Sequence, residues 1–311
     1  MKENKPKLLI TEKRYFLKKN LKKLNKVFEV QFGCDNLDDL KKKINNFDVI
    51  FIRLKFCIQD NLISKNSKLK FIGTPTTGLK HIKLKKKKVK IISLRDCKNE
   101  IKKINSTCEL TFGLLLSLMR RIPSAIDDVK KKRWDRNSFF GEDLKEKNIG
   151  IIGLGRLGKS SKKIAKCFGA KVLTYDKKYD VKSSLDKLLK KSDIILIHVS
   201  YDEENYHFFK LNLFKKMKKN CVIVNTSRGE VINQEDLLYA LKKKIISGAA
   251  LDVIDNEYDL ESGSNLKIIN YLKSHDNLII TPHIGGLTKD SLQKSEGFIV
   301  DKLINTYYKK S

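Results

Sequence analysis

The stretch Asn148-Ile149-Gly150-Ile151-Ile152-Gly153-Leu154-Gly155-Arg156-Leu157-Gly158 sets the architecture. Its first five residues make an apolar run of strand length, and Gly153 ends it. Helical spacing follows to about Phe168, and a second strand-like run covers residues 171–175. Strand, glycine turn, helix and strand open a parallel sheet. The three glycines serve different purposes. Gly153 allows the tight turn, Gly155 lets backbone approach a pyrophosphate, and Gly158 lets the helix pack on the strand. The free N–H groups of the first helical turn, which holds Arg156 and Leu157, then face phosphate, aided by the helix dipole. Asp176 closes the second strand, 18 residues after Gly158. A carboxylate there accepts from both ribose hydroxyls and repels a 2′-phosphate, which argues for NAD over NADP, although Lys177 and Lys178 follow at once. The competing reading is a tight turn that binds nothing, but every part of the dinucleotide context is in place.

The same alternation runs through the whole chain. Short apolar runs at 7–11, 28–32, 48–53, 69–74 and 89–94 read as buried strands, with lysine-rich, helically spaced segments between them. A long helix is expected over about 101–121, which Pro123 ends or restarts. A polar segment at 130–146 carries the only tryptophan, Trp134. Further strands are expected at 194–199, 221–225, 248–253 and 278–281, and a closing helix at 289–308. The expected fold is α/β, with parallel sheets covered by helices. A helix at the boundary near residue 100 suggests a hinge between two rigid lobes.

At 311 residues the chain suits two domains. Its apolar content of 41% is ordinary for a soluble protein, and no segment approaches the roughly 18 apolar residues of a membrane span. The amino terminus is charged, with only Leu8-Leu9-Ile10 behind it, too short for a signal peptide. A net charge of +30 is extreme, and it could attract nucleic acid, an acidic membrane surface or an anionic substrate. Only nine of the 66 basic residues are Arg, however, and the lysines spread over every expected helix. Phosphate-reading proteins need Arg forks as well as Lys, so the charge reads as solvated helix faces, with no specific nucleic-acid or membrane partner expected. Six cysteines show neither C-x-x-C pairing nor metal-ligand spacing with His, so no metal is expected and a reducing, cytoplasmic setting is.

Three reactive residues follow the glycine turn, each in a loop after a strand-like run: Arg228 in Asn225-Thr226-Ser227-Arg228-Gly229, Glu257, and His283 in Thr281-Pro282-His283-Ile284-Gly285-Gly286. Loops at the carboxyl ends of parallel strands line the ligand crevice. Arg228 is placed to hold a carboxylate bidentately, although alone it could be a surface cation. Glu257 lies in an acidic stretch, 255–261, and alone would read as a solvated acid. Proline and glycines fix the backbone of His283, as a site of fixed geometry requires. An imidazole can donate a proton to a developing alkoxide, and a carboxylate on its second nitrogen would fix the tautomer. Together they point to hydride transfer at a carbon next to a carboxylate. His198 reads as packed near the cofactor, and His81, His207 and His275 as surface or loop residues.

These residues resemble the D-isomer-specific 2-hydroxyacid dehydrogenases, the family of phosphoglycerate dehydrogenase and hydroxypyruvate reductase. The resemblance covers nearly the whole chain: Ile52-Arg53, the Gly73-Thr74-Pro75-Thr76-Thr77-Gly78-Leu79 segment, Cys108-Glu109-Leu110-Thr111-Phe112, Trp134-Asp135-Arg136, the glycine turn, the Arg228 segment, Ala249-Ala250-Leu251-Asp252-Val253 and the His283 segment. It implies two flavodoxin- or Rossmann-like doubly wound domains around a hinge cleft: residues 1–100 with 287–311 for substrate, and 101–286 for NAD. It implies a homodimer through the nucleotide lobe. By resemblance Arg228, Glu257 and His283 are catalytic, Asp252 contacts the nicotinamide carboxamide, and Thr226 lies beside the nicotinamide. The Thr76-Thr77-Gly78 loop offers N–H groups to the substrate carboxylate, and Arg53 reaches that carboxylate or the substrate's far end. Three features depart from the family pattern: Tyr258 after Glu257 and Ser200 after His198-Val199, both in place of proline, and a longer stretch over 258–277. The regulatory carboxyl-terminal domain of many phosphoglycerate dehydrogenases is expected to be absent. The rival function is a dinucleotide-sensing dimeric scaffold of the corepressor kind on the same fold.

Overall fold

A computed structural model describes residues 5–13, 16–85, 89–178, 184–257 and 259–308; Tyr258 and the lysines at 86–88 lie outside them. The chain divides into two compact units, Met1–Ile104 with Lys289–Ser311, and Asn105–Thr288.

In the first unit the order is β1 (Lys7–Ile10), α1 (Lys18–Val27), β2 (Glu29–Phe32), α2 (Leu37–Lys43), β3 (Val49–Phe51), β4 (Ile58–Gln59), β5 (Phe71–Thr74), β6 (Ile82–Lys83) and β7 (Lys90–Ser93). The sheet runs β2-β1-β3-β5-β7, all parallel, and β4 pairs separately with β6. With the two-residue strands set aside, this is the flavodoxin order. Central strands β3 and β5 are buried throughout, while edge strand β2 alternates exposed and half-buried residues. A strand covered on both faces is apolar along most of its length, which explains the apolar runs in the sequence. One face packs Leu40, Ile44, Ile50 and Ile72; the other packs Leu24, Phe28, Phe51 and, from the closing helix, Ile299, Val300 and Leu303.

The second unit runs α3 (Ser106–Met119), α4 (Ile122–Lys130), β8 (Asn148–Ile152), α5 (Arg156–Cys167), β9 (Lys171–Tyr175), α6 (Leu185–Lys191), β10 (Ile194–Ile197), α7 (Leu211–Phe214), β11 (Val222–Asn225), α8 (Gln234–Lys242), β12 (Gly248–Leu251), α9 (Gly263–Ser274) and β13 (Leu278–Ile280). The last helix, α10 (Lys289–Tyr308), belongs to the first unit. The six-stranded sheet is parallel in the order β13-β12-β11-β10-β8-β9. Order reverses at β8: its sequence successor β9 lies on one side and β10 on the other. The crevice outside the carboxyl ends of β8 and β10 is therefore the topological switch point where α/β sheets bind ligands. Helix α3 packs Phe112, Leu115 and Leu118 on one face, and Leu188, Phe214, Leu237 and Ile268 cover the other. Each fully buried side chain of this kind stabilises by about 1.5–3 kcal/mol.

One expectation changes. The single helix over 101–121 is shorter: a 3-10 turn at Glu100–Lys103 precedes α3, and Arg121 takes a left-handed backbone with φ 50°. Pro123, in the first turn of α4, restarts the chain in a new direction because its fixed φ suits a helix start. The stretch at 258–277 contains a 12-residue helix, α9.

Candidate active site

The glycine turn lies at the switch point, and the structure supplies the steric reasons for it. Gly153 has φ +96°, and a Cβ there would stand 2.6 Å from the carbonyl oxygen of His198, across the junction of β8 and β10. Gly158 is pressed on the turn itself, since its Cβ would meet the Gly153 oxygen at 1.9 Å. Around Gly155 nothing lies within 4 Å of such a Cβ, so that flank is open to a ligand. The N–H groups of Gly155 and Leu157 donate to no group among the described residues. Arg156 is half-buried at the helix start, and burial lowers its pKa. The Asp176 carboxylate is held by Leu154 N–H at 2.5 Å and Lys178 N–H at 2.8 Å, which fixes it at the end of β9 beside the turn. Open backbone donors, an anchored acid and a helix start suit a dinucleotide.

His198 is buried behind this turn, with Nε2 2.8 Å from Ser161 Oγ of α5 and Nδ1 unpartnered. Burial, and secondarily the Arg156 guanidinium, push its pKa down to about 4. It is therefore a neutral imidazole packed under the helix.

After β11, Asn225 folds the next three residues. Its Oδ1 accepts from Ser227 N–H at 3.0 Å and Ser227 Oγ at 2.7 Å, and its Nδ2 donates to Arg228 O at 2.9 Å. Thr111 Oγ1 donates to Thr107 O at 2.7 Å, so Thr226 must donate to Thr111 Oγ1, 2.8 Å away. Arg228 is half-buried and donates to Ser227 O at 2.6 Å, and no carboxylate among the described residues pairs with it. Gly229 explains its own place: a Cβ would come within 2.0 Å of the Ile254 carbonyl. Only glycine lets the Arg228 loop lie against the backbone leading to Glu257.

After β12 and β13 the acid and imidazole meet. His283 Nδ1 lies 2.6 Å from Glu257 Oε1, with both side chains less than a third exposed. Glu257, an acceptor, receives a hydrogen bond from Nδ1–H, which leaves Nε2 without a partner among the described residues. Asp252 builds the loop that presents this ring. Its carboxylate accepts from Thr281 Oγ1 at 2.6 Å, Ile284 N–H at 2.8 Å and Gly285 N–H at 2.7 Å, and its carbonyl from His283 N–H at 2.9 Å. This network holds His283 at φ 54°, a conformation that needs such support.

In the first unit, the N–H groups of Thr76, Thr77 and Gly78, past the end of β5, donate to no group among the described residues. Thr76 Oγ1 closes the loop on Gly78 O at 2.8 Å. Arg53, past the end of β3, is paired with the buried Glu296 at 2.9 Å. His81 corrects the expectation of a surface histidine: it is 4% exposed, with Nε2 3.2 Å from Thr74 Oγ1.

Sequence reading missed the polar residues that hold these loops. Gln234 of α8 accepts Asp255 N–H at 3.0 Å and donates to Asn265 of α9 at 2.9 Å. Asn265 in turn donates to the carbonyls of Asn256 at 2.9 Å and Asp259 at 2.8 Å. Thr107 donates to Gly285 O at 3.1 Å. One signal was available: Asn265 with Ile268 and Tyr271, and Thr111 with Cys108 and Leu115, are polar residues on buried helical stripes.

The profile described as D-isomer specific 2-hydroxyacid dehydrogenase, NAD binding domain, matches residues 112–285. A glyoxylate reductase from Thermofilum pendens is 33% identical over 281 residues, covering 86% of this chain and 80% of that protein. A D-3-phosphoglycerate dehydrogenase from Methanocaldococcus jannaschii is 33% identical over 298 residues, covering 91% of this chain; the chain spans 54% of that relative's length. Among solved structures, a D-lactate dehydrogenase from Aquifex aeolicus complexed with NAD and lactic acid has a TM-score of 0.83 at 27% identity, covering 97% of this chain and 95% of that one. The chain therefore belongs to the D-isomer-specific 2-hydroxyacid dehydrogenase family, and the residues that match its NAD-binding domain lie within the second unit.

Proposed function

We propose that this protein is an oxidoreductase that transfers a hydride between NAD(H) and C2 of a small D-2-hydroxy acid or 2-oxo acid. The observation that carries the reading is the 2.6 Å Glu257–His283 pair, presented next to a loop whose Arg228 has no carboxylate partner among the described residues. Gly153, Gly155, Arg156, Leu157 and Gly158 would hold the pyrophosphate, and Asp176 the ribose. His198, Thr226 and Asp252 would line the rest of the cofactor site. NAD, when bound, supplies the hydride or takes it up. Arg228 binds the substrate carboxylate through its planar fork and polarises the carbonyl. As charge develops on the carbonyl oxygen, the doubly protonated His283 ring donates its Nε2 proton there and is left neutral with its Nδ1 proton, and Glu257 on Nδ1 orients the ring and favours the protonated form that donates. In the first unit the unclaimed N–H groups of Thr76, Thr77 and Gly78 suit a carboxylate, and Arg53 is the further substrate cation.

No helix among the described residues is long and apolar enough to cross a membrane. All six cysteines are free thiols, four of them buried, and we assign the protein to the cytoplasm on that basis. The second unit also exposes an apolar face: Ile122, Ile126 and Val129 on one side of α4, then Trp134 and Phe140, both more than 80% exposed. We assign this face to a second copy of the chain, as a homodimer. The deciding experiment is NADH oxidation with glyoxylate, hydroxypyruvate, pyruvate, 3-phosphohydroxypyruvate and 2-oxoglutarate. Turnover of at least one is expected. Silence across all five with NADH bound would favour the dinucleotide-sensing scaffold.

A further inference from the structure

The loop after β10 carries an imidazole that the proposed reaction does not use. His207 has a left-handed backbone, φ 48°, and its N–H donates to Glu230 O at 2.8 Å. Phe209 N–H donates to Val231 O at 2.9 Å, and Asn233 N–H returns to Phe209 O at 3.0 Å. Residues 207–209 therefore lie alongside the segment that begins at Arg228. The ring of Tyr206 stacks on the imidazole at 3.9 Å between centroids. Nε2 stands 3.2 Å from Asp255 Oδ2, and Nδ1 3.3 Å from Asn233 Nδ2.

The tautomer follows from the neighbours. Asn233 caps α8: its Oδ1 accepts Asp236 N–H at 3.0 Å, so its NH₂ group turns to the ring. A donor facing Nδ1 requires a lone pair on Nδ1, which puts the ring proton on Nε2, where Asp255 accepts it. Asp255 has its own N–H held by Gln234 and stands two residues before Glu257. One side chain thus joins the loops that follow three adjacent strands, β10, β11 and β12. Both partners are largely covered, with His207 20% and Asp255 25% exposed, so water competes weakly for the bond.

We infer that His207 is a positioning residue: its Nε2–H bond to Asp255 holds the Glu257 loop against the Arg228 loop and so sets the Glu257–His283 hydrogen bond. This rests on the proposed dehydrogenase reading. The test uses two substitutions in the whole protein. Glutamine places an amide N–H near the position of Nε2 and keeps the bond to Asp255; asparagine reaches only as far as Nδ1 and loses it. Two quantities are read. One is the steady-state kinetics with whichever of the five oxo acids the wild type reduces best. The other is the low-field proton resonance of His283 Nδ1–H, which needs no substrate.

H207Q is expected to stay within about twofold of wild type in kcat/KM and to keep the resonance. H207N is expected to lose about tenfold or more in kcat and to move or broaden the resonance, with the NADH dissociation constant unchanged, because small misplacement of reacting groups costs rate rather than cofactor binding. The inference is overturned if H207N matches wild type in both readings, or if both variants fall together, which would mean simple packing. Should the wild type reduce none of the acids, the dehydrogenase reading fails by itself. The resonance still decides the inference: moved in H207N and kept in H207Q supports it, and unchanged in both overturns it.

Discussion

His283 combines a left-handed backbone, a ring nitrogen committed to Glu257 and a second nitrogen without a partner among the described residues. Replacing it with asparagine would remove the proposed proton donor and leave the glycine turn intact. For H283N we expect kcat to fall by about 10²–10⁴-fold with the NADH dissociation constant unchanged; near-normal turnover would remove His283 from the proposed role. In the role proposed for it, Arg228 would act through shape as well as charge. Lysine keeps the charge and loses the planar fork, so R228K should raise KM for the oxo acid and lower kcat, read from initial rates. Unaltered kinetics would mean that another cation binds the carboxylate. These residues stood out in the sequence because Gly, Pro and strand ends mark them locally. Asp252 did not reveal its structural part in the same way. Its carboxylate bonds to Thr281, Ile284 and Gly285, about thirty positions away, and nothing near Asp252 in the chain announces them.

At the scale of elements, the strands were legible and the helix boundaries less so. Strand β8 has the residues expected of it because a strand buried on both faces is apolar along most of its length. Helix α9 is weakly marked in the sequence because its apolar stripe is short and interrupted by Asn265, a polar residue facing inward. That residue makes α9 part of the site's support. Substituting N265L would remove the side-chain bonds to the carbonyls of Asn256 and Asp259 and leave the buried amide of Gln234 without its partner. Each unsatisfied buried group costs about 1–3 kcal/mol, so the urea midpoint should drop and oxo-acid turnover with it. A variant that keeps both would show that the Glu257 loop holds itself.

For the whole molecule, stability should depend on pH through His198. Its pKa is about 4 when folded and 6.5 in the reference state. Between these values the unfolded chain binds more protons, so stability rises with pH. The contribution is fully present above pH 6.5 and is lost as pH falls towards about 4, a loss of about 3 kcal/mol. The gap between wild type and H198Q in denaturation midpoint should therefore narrow over that window; parallel curves would contradict it. The apolar face on α4 predicts a dimer in sedimentation, with Ile126→Asp yielding monomer, and a monomeric wild type would sink that assignment. The basic excess sits on exposed helix positions such as Lys18, Lys19, Lys22, Lys41 and Lys42, the solvated faces expected from composition.

Alternation of apolar runs, the glycine turn and the order of Arg228, Glu257 and His283 are written along the chain, because strand burial, turn sterics and side-chain chemistry act over a few neighbouring residues. Periodicity tells which face a residue occupies, not which distant group it meets. The burial of His81, the anchoring by Asn265, the pairing of Arg53 with Glu296 and the tautomer of His207 all depend on partners brought close only by folding, and no local rule encodes them.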